Sequence, residues 1–83
     1  MKREVYWYHG AVEDVSQLAA RDERQANRVL VAVRQFGGTG RGDVKKLRGA
    51  GDWRLRVGNW RVVYRLLDDA LYVSSVTDRQ DAY

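Results

Sequence analysis

Apolar and charged side chains alternate along Asp52–Tyr64, DWRLRVGNWRVVY, with the two-residue period of a strand buried on one face. Gly58-Asn59 interrupts the run with a dipeptide suited to a two-residue hairpin turn. Such a turn sets Val57 opposite Trp60. The register then pairs Arg56 with Arg61, Leu55 with Val62, Arg54 with Val63 and Trp53 with Tyr64. Directly opposed residues share a face. One face therefore collects Trp53, Leu55, Val57, Trp60, Val62 and Tyr64 and reads as core. The other collects Arg54, Arg56 and Arg61. Like charges set against each other destabilise a sheet, so the arginines read as serving a polyanion.

The flanking sequence follows the same logic. Glu4–His9, rich in aromatic and β-branched residues, predicts a first strand, with Val5 and Trp7 on one side and Tyr6 and Tyr8 on the other. Ala11–Ala20 has helical spacing, with Val12, Val15, Leu18 and Ala19 as its apolar stripe. A second helix begins at Asp22, an N-cap residue with Gln25 three positions on in a capping-box-like pair. It places Ala26, Val29, Leu30 and Val33 on one stripe and ends at Gly37-Gly38. Gly37–Asp43 reads as a flexible linker. It follows a helix and lacks a Lys-Ser/Thr ending, which excludes a phosphate loop. Val44–Arg48 predicts a short strand whose Lys45 and Lys46 have two open readings, edge protection and phosphate contact. A turn at Asp68-Asp69 leads into a last strand, Ala70–Val76. An unbroken register sets Leu67 against Ala70, Tyr64 against Val73 and Arg61 against Val76, which puts Val76 on the arginine face and brings Arg79 and Tyr83 toward it.

Charge changes the picture more than composition does. The 83 residues, 45% hydrophobic and 31% charged with neither cysteine nor proline, are an ordinary globular composition for one small domain, residues 1–83. Of the net charge of +4, residues 41–65 alone carry +6, eight basic side chains against Asp43 and Asp52, which leaves −2 on the remainder. Clustered positive charge points to nucleic acid or another acidic partner. The two helices hold four acids and four bases between Gly10 and Phe36 and suggest no chemistry of their own. Without cysteine there are neither disulfides nor thiolate zinc ligands, and His9, a lone histidine read as having no neighbouring acid, is a poor metal ligand and reads as a surface or structural group. No cofactor is expected. No apolar run is long enough for a membrane span or a secretory signal, so a soluble cytoplasmic protein is expected.

Three stretches carry a likeness to a known family: Lys46-Leu47-Arg48-Gly49, the run Trp53–Tyr64, and Asp78-Arg79 followed by Tyr83. Over nearly the whole chain the sequence resembles the RelE/ParE toxin superfamily of bacterial toxin–antitoxin systems. The middle stretch matches that superfamily's aromatic-Arg-x-Arg-x-Gly-Asp/Asn-aromatic-Arg-Val pattern. The resemblance implies an α+β fold of order β-α-α-β-β-β, an antiparallel-rich sheet covered on one face by a helical hairpin. It implies the toxin of a type II system, a metal-independent, ribosome-dependent mRNA endoribonuclease that acts in the ribosomal A site and inhibits translation. A cognate antitoxin, encoded by a short acidic or amphipathic reading frame next to the gene, would be its partner. Carried over by position, the catalytic set is Arg54, Arg56, Arg61, Arg79 and Tyr83; Lys45, Lys46 and Arg48 are candidate RNA contacts on their charge. ParE-like members act on DNA gyrase and generally lack this basic set, whose presence favours the ribonuclease branch. The two strand positions often filled by lysine are arginine here. Arginine stays protonated, so it can clamp a phosphate but not shuttle a proton.

In the implied reaction the 2′-hydroxyl attacks the adjacent phosphate, leaving a cyclic phosphate and a 5′-hydroxyl. Arg61 and Arg79 would hold the scissile phosphate, with Arg54 and Arg56 completing the pocket. Tyr83, at the frayable end of the sequence, would act as base or stack on a nucleobase, its phenol lowered from about 10 by neighbouring arginines. No Asp, Glu or His is clearly placed as a base, so ribosomal groups could be borrowed. Two other functions stay open: a gyrase-inhibiting toxin, and a non-catalytic RNA-binding module. Trp53 and Trp60 could stack bases in the latter, although their register marks them as core anchors.

Overall fold

The computed structural model describes residues 2–49 and 51–78. The chain runs β1 (Glu4–Trp7), α1 (His9–Arg21), α2 (Glu23–Thr39), β2 (Asp43–Lys46), β3 (Asp52–Val57), β4 (Trp60–Leu67) and β5 (Ala70–Asp78). The five strands form one sheet in the order β1-β5-β4-β3-β2. Strands β2 to β5 are antiparallel neighbours, and β1 lies parallel to β5. The helical pair packs on one face of the sheet, α1 against β5 and α2 against β1 and β3. This is the α+β architecture anticipated from the sequence, with the short strand β2 as its outer edge.

The β3–β4 register pairs Val57 with Trp60, Arg56 with Arg61 and Trp53 with Tyr64, as the alternation predicts. The turn places Gly58 at φ 60°, a left-handed value that suits glycine. Buried side chains from α1 and α2 (Ala11, Leu18, Ala26, Val29, Val33, Phe36) meet those of the sheet (Leu55, Val57, Val62, Tyr64, Leu71, Val73, Val76). Phe36 stands edge-on to Tyr64, ring centroids 5.2 Å apart and planes at 63°. Trp53 and Trp60 pack against this core as anchors, and the Trp60 indole N–H donates to Gln25 Oε1 at 3.2 Å.

Helix boundaries depart from the sequence expectation in instructive ways. In α1 the inward stripe is Ala11, Val15 and Leu18; Val12 and Ala19 face solvent. The helix begins at His9, two residues before the predicted start, and its packing against β5 and α2 selects the buried arc. Asp22 caps α2 by accepting from the Gln25 backbone N–H at 3.3 Å. The reciprocal half of a capping box is absent: Gln25 reaches Trp60 instead, and the Asp22 N–H donates to the Leu18 carbonyl. Leu30 lies on the exposed side, 36% accessible, and Phe36 takes its place in the core. The helix runs through Gly37 and Gly38 to Thr39 and is closed by Gly40 at φ 72°, whose N–H returns to the Phe36 carbonyl. Position 37 has no room for a side chain because β1 lies against it: a Cβ there would meet Val5 Cγ2 at 2.7 Å. The first strand is correspondingly shorter than predicted, 4–7, and β2 spans 43–46.

The last strand contains a correction that matters for the site. Leu67–Ala70 and Tyr64–Val73 pair as predicted, but a bulge then shifts the register so that Val63 opposes Ser75, Val62 opposes Val76 and Arg61 opposes Thr77. Ser74 is the extra residue, and its hydroxyl donates to the Val63 carbonyl at 3.1 Å. Val73 and Val76, three positions apart, are both buried at 0% and 5% exposure. Strict alternation would send one of them to solvent. The bulge reverses the parity and buries both, so Val76 belongs to the core and Thr77 takes its place beside Arg61. Strand β5 extends to Asp78.

Candidate nucleic-acid interface

The sheet face opposite the helices is built from rows of directly opposed residues. One row runs Asp43–Arg56–Arg61–Thr77, the next Lys45–Arg54–Val63–Ser75, and a third Asp52–Arg65–Tyr72–Tyr6. Rows two residues apart are separated by about 7 Å along the strands, and neighbouring strands by about 4.8 Å. The structure therefore brings Arg54, Arg56 and Arg61 together on one surface, with Lys45 beside Arg54. Lys46 opposes Trp53 and points to the helix side, and Arg48 is exposed in the connection after β2. Arg79 and Tyr83 lie outside the described residues.

The cations are not all equivalent. Arg54 is more enclosed than Arg65, its side chain 19% accessible against 42%, and its guanidinium lies 3.5 Å from Asp43 Oδ1 and donates to the Asp43 carbonyl at 3.4 Å. Arg65 donates to Asp52 Oδ1 at 2.7 Å, and this carboxylate raises the already high pKa of the guanidinium. Part of the like-charge repulsion inferred from the hairpin alone is therefore relieved by Asp43 and Asp52. Arg56 makes no ion pair among the described residues, and it opposes Arg61 directly. At the β3–β4 pair two guanidinium-bearing strands therefore converge, with Arg56 flanked by Asp43 on one side and Arg61 on the other. Bidentate guanidinium donors in such a pair match the oxygens of a phosphate.

Asp43 is the site residue that sequence reasoning missed. Pairing β2 with β3 in this register sets its carboxylate in the same row as Arg56 and within reach of Arg54. The only signal in the chain was an acid at the mouth of a basic strand. His9 sits on the surface at the start of α1, 3.3 Å from Glu13; the acid one helical turn on supplies the neighbour that the sequence reading had not given it. Among the described residues no group of three or more His, Cys, Asp or Glu side chains could hold a metal ion.

On the helix side a groove of about 610 Å³ separates α2 from β3 and is lined in part by Arg24, Arg28, Val31 and Arg41. Arg28 crosses the hairpin turn so closely that a Cβ on Gly58 would meet its guanidinium at 2.9 Å. The helices thus contribute basic groups that their balanced charge had concealed. Arg24 and Arg28, one turn apart, were the visible sign.

No family model matches the chain, and no curated protein matches it by sequence. Its structure, however, is similar to those of several bacterial and archaeal toxins. A YoeB/ParE toxin from Agrobacterium tumefaciens superposes with a TM-score of 0.76 at 23% identity, covering 90% of this chain and 96% of that one. The RelE–RelB complex from Pyrococcus horikoshii gives 0.74 at 23% identity, over 95% and 97%. A YafQ variant from E. coli gives 0.77 at 16% identity, over 99% of each chain. The fold is that of the RelE/ParE-like toxins, as the sequence resemblance implied. Among the described residues no helix is long and apolar enough to cross a membrane.

Proposed function

We propose that the protein is the toxin of a type II toxin–antitoxin pair and that its open sheet face cleaves mRNA on the ribosome. The observation that carries this reading is the row Asp43–Arg56–Arg61–Thr77 with Arg54 and Lys45 beside it. A fold gains little from such a cluster, whereas a pentavalent phosphate transition state gains from several fixed guanidinium donors. Arg56 and Arg61 grip the non-bridging oxygens, and the family resemblance assigns Arg79 to the same phosphate. Arg54, held by Asp43, sets the position of the neighbouring phosphate. The 2′-hydroxyl loses its proton as it attacks, and the departing 5′-oxygen takes one up. Tyr83 or a ribosomal group serves these transfers, since every arginine stays charged. Lys45 adds sequence-independent phosphate attraction on this face, which salt weakens, while Lys46, on the helix side, and Arg48, after β2, add to the long-range positive field.

The antitoxin partner is supported by relatives of the same fold solved as pairs, among them YoeB–YefM from Staphylococcus aureus and DinJ–YafQ from E. coli. The groove beside α2, with Arg24, Arg28 and Arg41, suits an acidic segment of such a partner.

The test is mRNA cleavage on translating ribosomes by wild type, Arg61→Ala and Arg79→Ala, read as mapped 5′ ends, with growth arrest on induction as a second readout. Both substitutions abolish cleavage and arrest if the reading holds; equal cleavage by all three proteins overturns it. Because one similar structure is described as YoeB/ParE, a DNA gyrase supercoiling assay belongs beside it. Inhibition that survives loss of the arginines would assign the protein to the gyrase-directed branch.

A further inference from the structure

The arginine rows occupy only one end of the open face. At the other end three tyrosines from two strands and a helix cap lie together. Tyr6 on β1 and Tyr72 on β5 are register partners, and their rings stack with centroids 5.2 Å apart and planes at 21°. Tyr8, just past β1, stacks on the same Tyr72 ring at 5.8 Å and 24°. Tyr72 is therefore the middle of a stack whose outer members, Tyr6 and Tyr8, are 47% and 46% exposed. None of these rings belongs to the core, which lies on the opposite face. Arg65 joins the two ends, since it is the direct partner of Tyr72 across β4–β5.

Arg65 lies four residue steps along β4 from Arg61, about 14 Å at roughly 3.4 Å per residue. That is a span which a few nucleotides of extended single strand cover. We propose that Tyr6, Tyr8 and Tyr72 form a base-stacking platform that holds a nucleotide of single-stranded RNA flanking the phosphate gripped at Arg56 and Arg61. This rests on the reading of the open face as an RNA surface and adds a second contact to it. The chemistry suits the ligand. Stacked phenol rings offer a rigid π-face, and every base has a matching one. Arg65, whose guanidinium keeps further donors beside its bond to Asp52, supplies the cation for the backbone next to Tyr72. The near-parallel rings cost little ordering on binding, because Tyr72 already fixes both outer members.

Binding of a fluorescent single-stranded RNA hexamer and of a trinucleotide to the whole protein, followed by anisotropy, tests the proposal. Tyr6→Leu and Tyr72→Leu should weaken hexamer binding roughly 5- to 150-fold, the range for loss of one stacked base. They should leave the trinucleotide nearly unchanged, and Tyr→Phe at the same positions should bind as wild type. Equal urea midpoints for the Phe and Leu variants guard against a folding effect. A hexamer carrying 5-iodouridine at a position flanking the cleaved bond should crosslink on irradiation to peptides containing these tyrosines. Unchanged hexamer affinity in the Leu variants overturns the platform, as does an effect confined to binding of a protein partner. Arg56→Ala and Arg61→Ala report separately: if they leave both RNA binding and ribosomal cleavage intact, the underlying RNA-surface reading fails, and the platform with it.

Discussion

Alanine at Gly37 and alanine at Gly38 place the same methyl group in the same turn of α2, yet they should move stability in opposite directions. At Gly38 a Cβ meets nothing within 4 Å. The substitution therefore gains the helix-interior advantage of alanine over glycine, about 0.5–1 kcal/mol. At Gly37 the same gain is set against a clash, with Val5 Cγ2 at 2.7 Å and the Arg3 carbonyl at 3.4 Å. Val5 is β-branched and held in β1, so it cannot swing aside. The Gly37 carbonyl also accepts the Arg3 N–H at 2.8 Å, which ties the same strand to the same turn. Relief requires β1 to move away from the helix, and overpacking of this kind costs about 1–3 kcal/mol. Gly37→Ala should therefore lose up to about 2 kcal/mol net while Gly38→Ala gains up to about 1. Urea unfolding followed by tryptophan fluorescence, with far-ultraviolet circular dichroism as the second probe, resolves a difference of that size. Equal stabilisation by both substitutions would refute the claim that close approach of β1, and not chance, keeps glycine at position 37.

Two further outcomes follow from single contacts. The Asp14 carboxylate on α1 accepts the Val76 N–H at 2.8 Å, just beyond the bulge in β5. Asp14→Ala leaves that N–H without its acceptor and should cost about 1–3 kcal/mol; Asp14→Asn keeps a carbonyl oxygen and should recover most of it in the same urea titration. Burial raises the pKa of Tyr64, with Arg3 acting weakly the other way. Its phenol ionises first in the unfolded chain, near pH ~10, so its contribution is whole below that pH and is lost as pH rises toward the higher folded value. Urea midpoints measured from neutral pH into this alkaline range should fall less steeply for Tyr64→Phe than for wild type, and parallel declines would contradict the assignment.

How far the site could be read without the fold depends on how local its determinants are. Arg54, Arg56 and Arg61 were legible because a two-residue turn and strict alternation leave one register, and one register puts all three on one face. Asp43 was not, because its place depends on how β2 pairs with β3, across a connection whose length does not dictate register. The tyrosine stack was half visible. Tyr6 and Tyr8 could be set on one side of β1, but nothing in the chain said that β1 would lie parallel to β5 and meet Tyr72.

The hairpin, the capped second helix and the segregation of arginine from core are consequences of the sequence by itself. Each rests on interactions between residues close along the chain, where spacing alone decides which groups meet. Tertiary structure decided the rest. It brought β1 so close to α2 that Val5 takes the space left by the missing side chain of Gly37. It placed Ser74 as a bulge because Val73 and Val76 could both be buried only if the alternation broke. It then set a basic cluster and an aromatic stack at opposite ends of one sheet face. Non-local packing outweighs local propensity wherever burying apolar surface is worth more than the fraction of a kcal/mol that distinguishes one residue's backbone preference from another's.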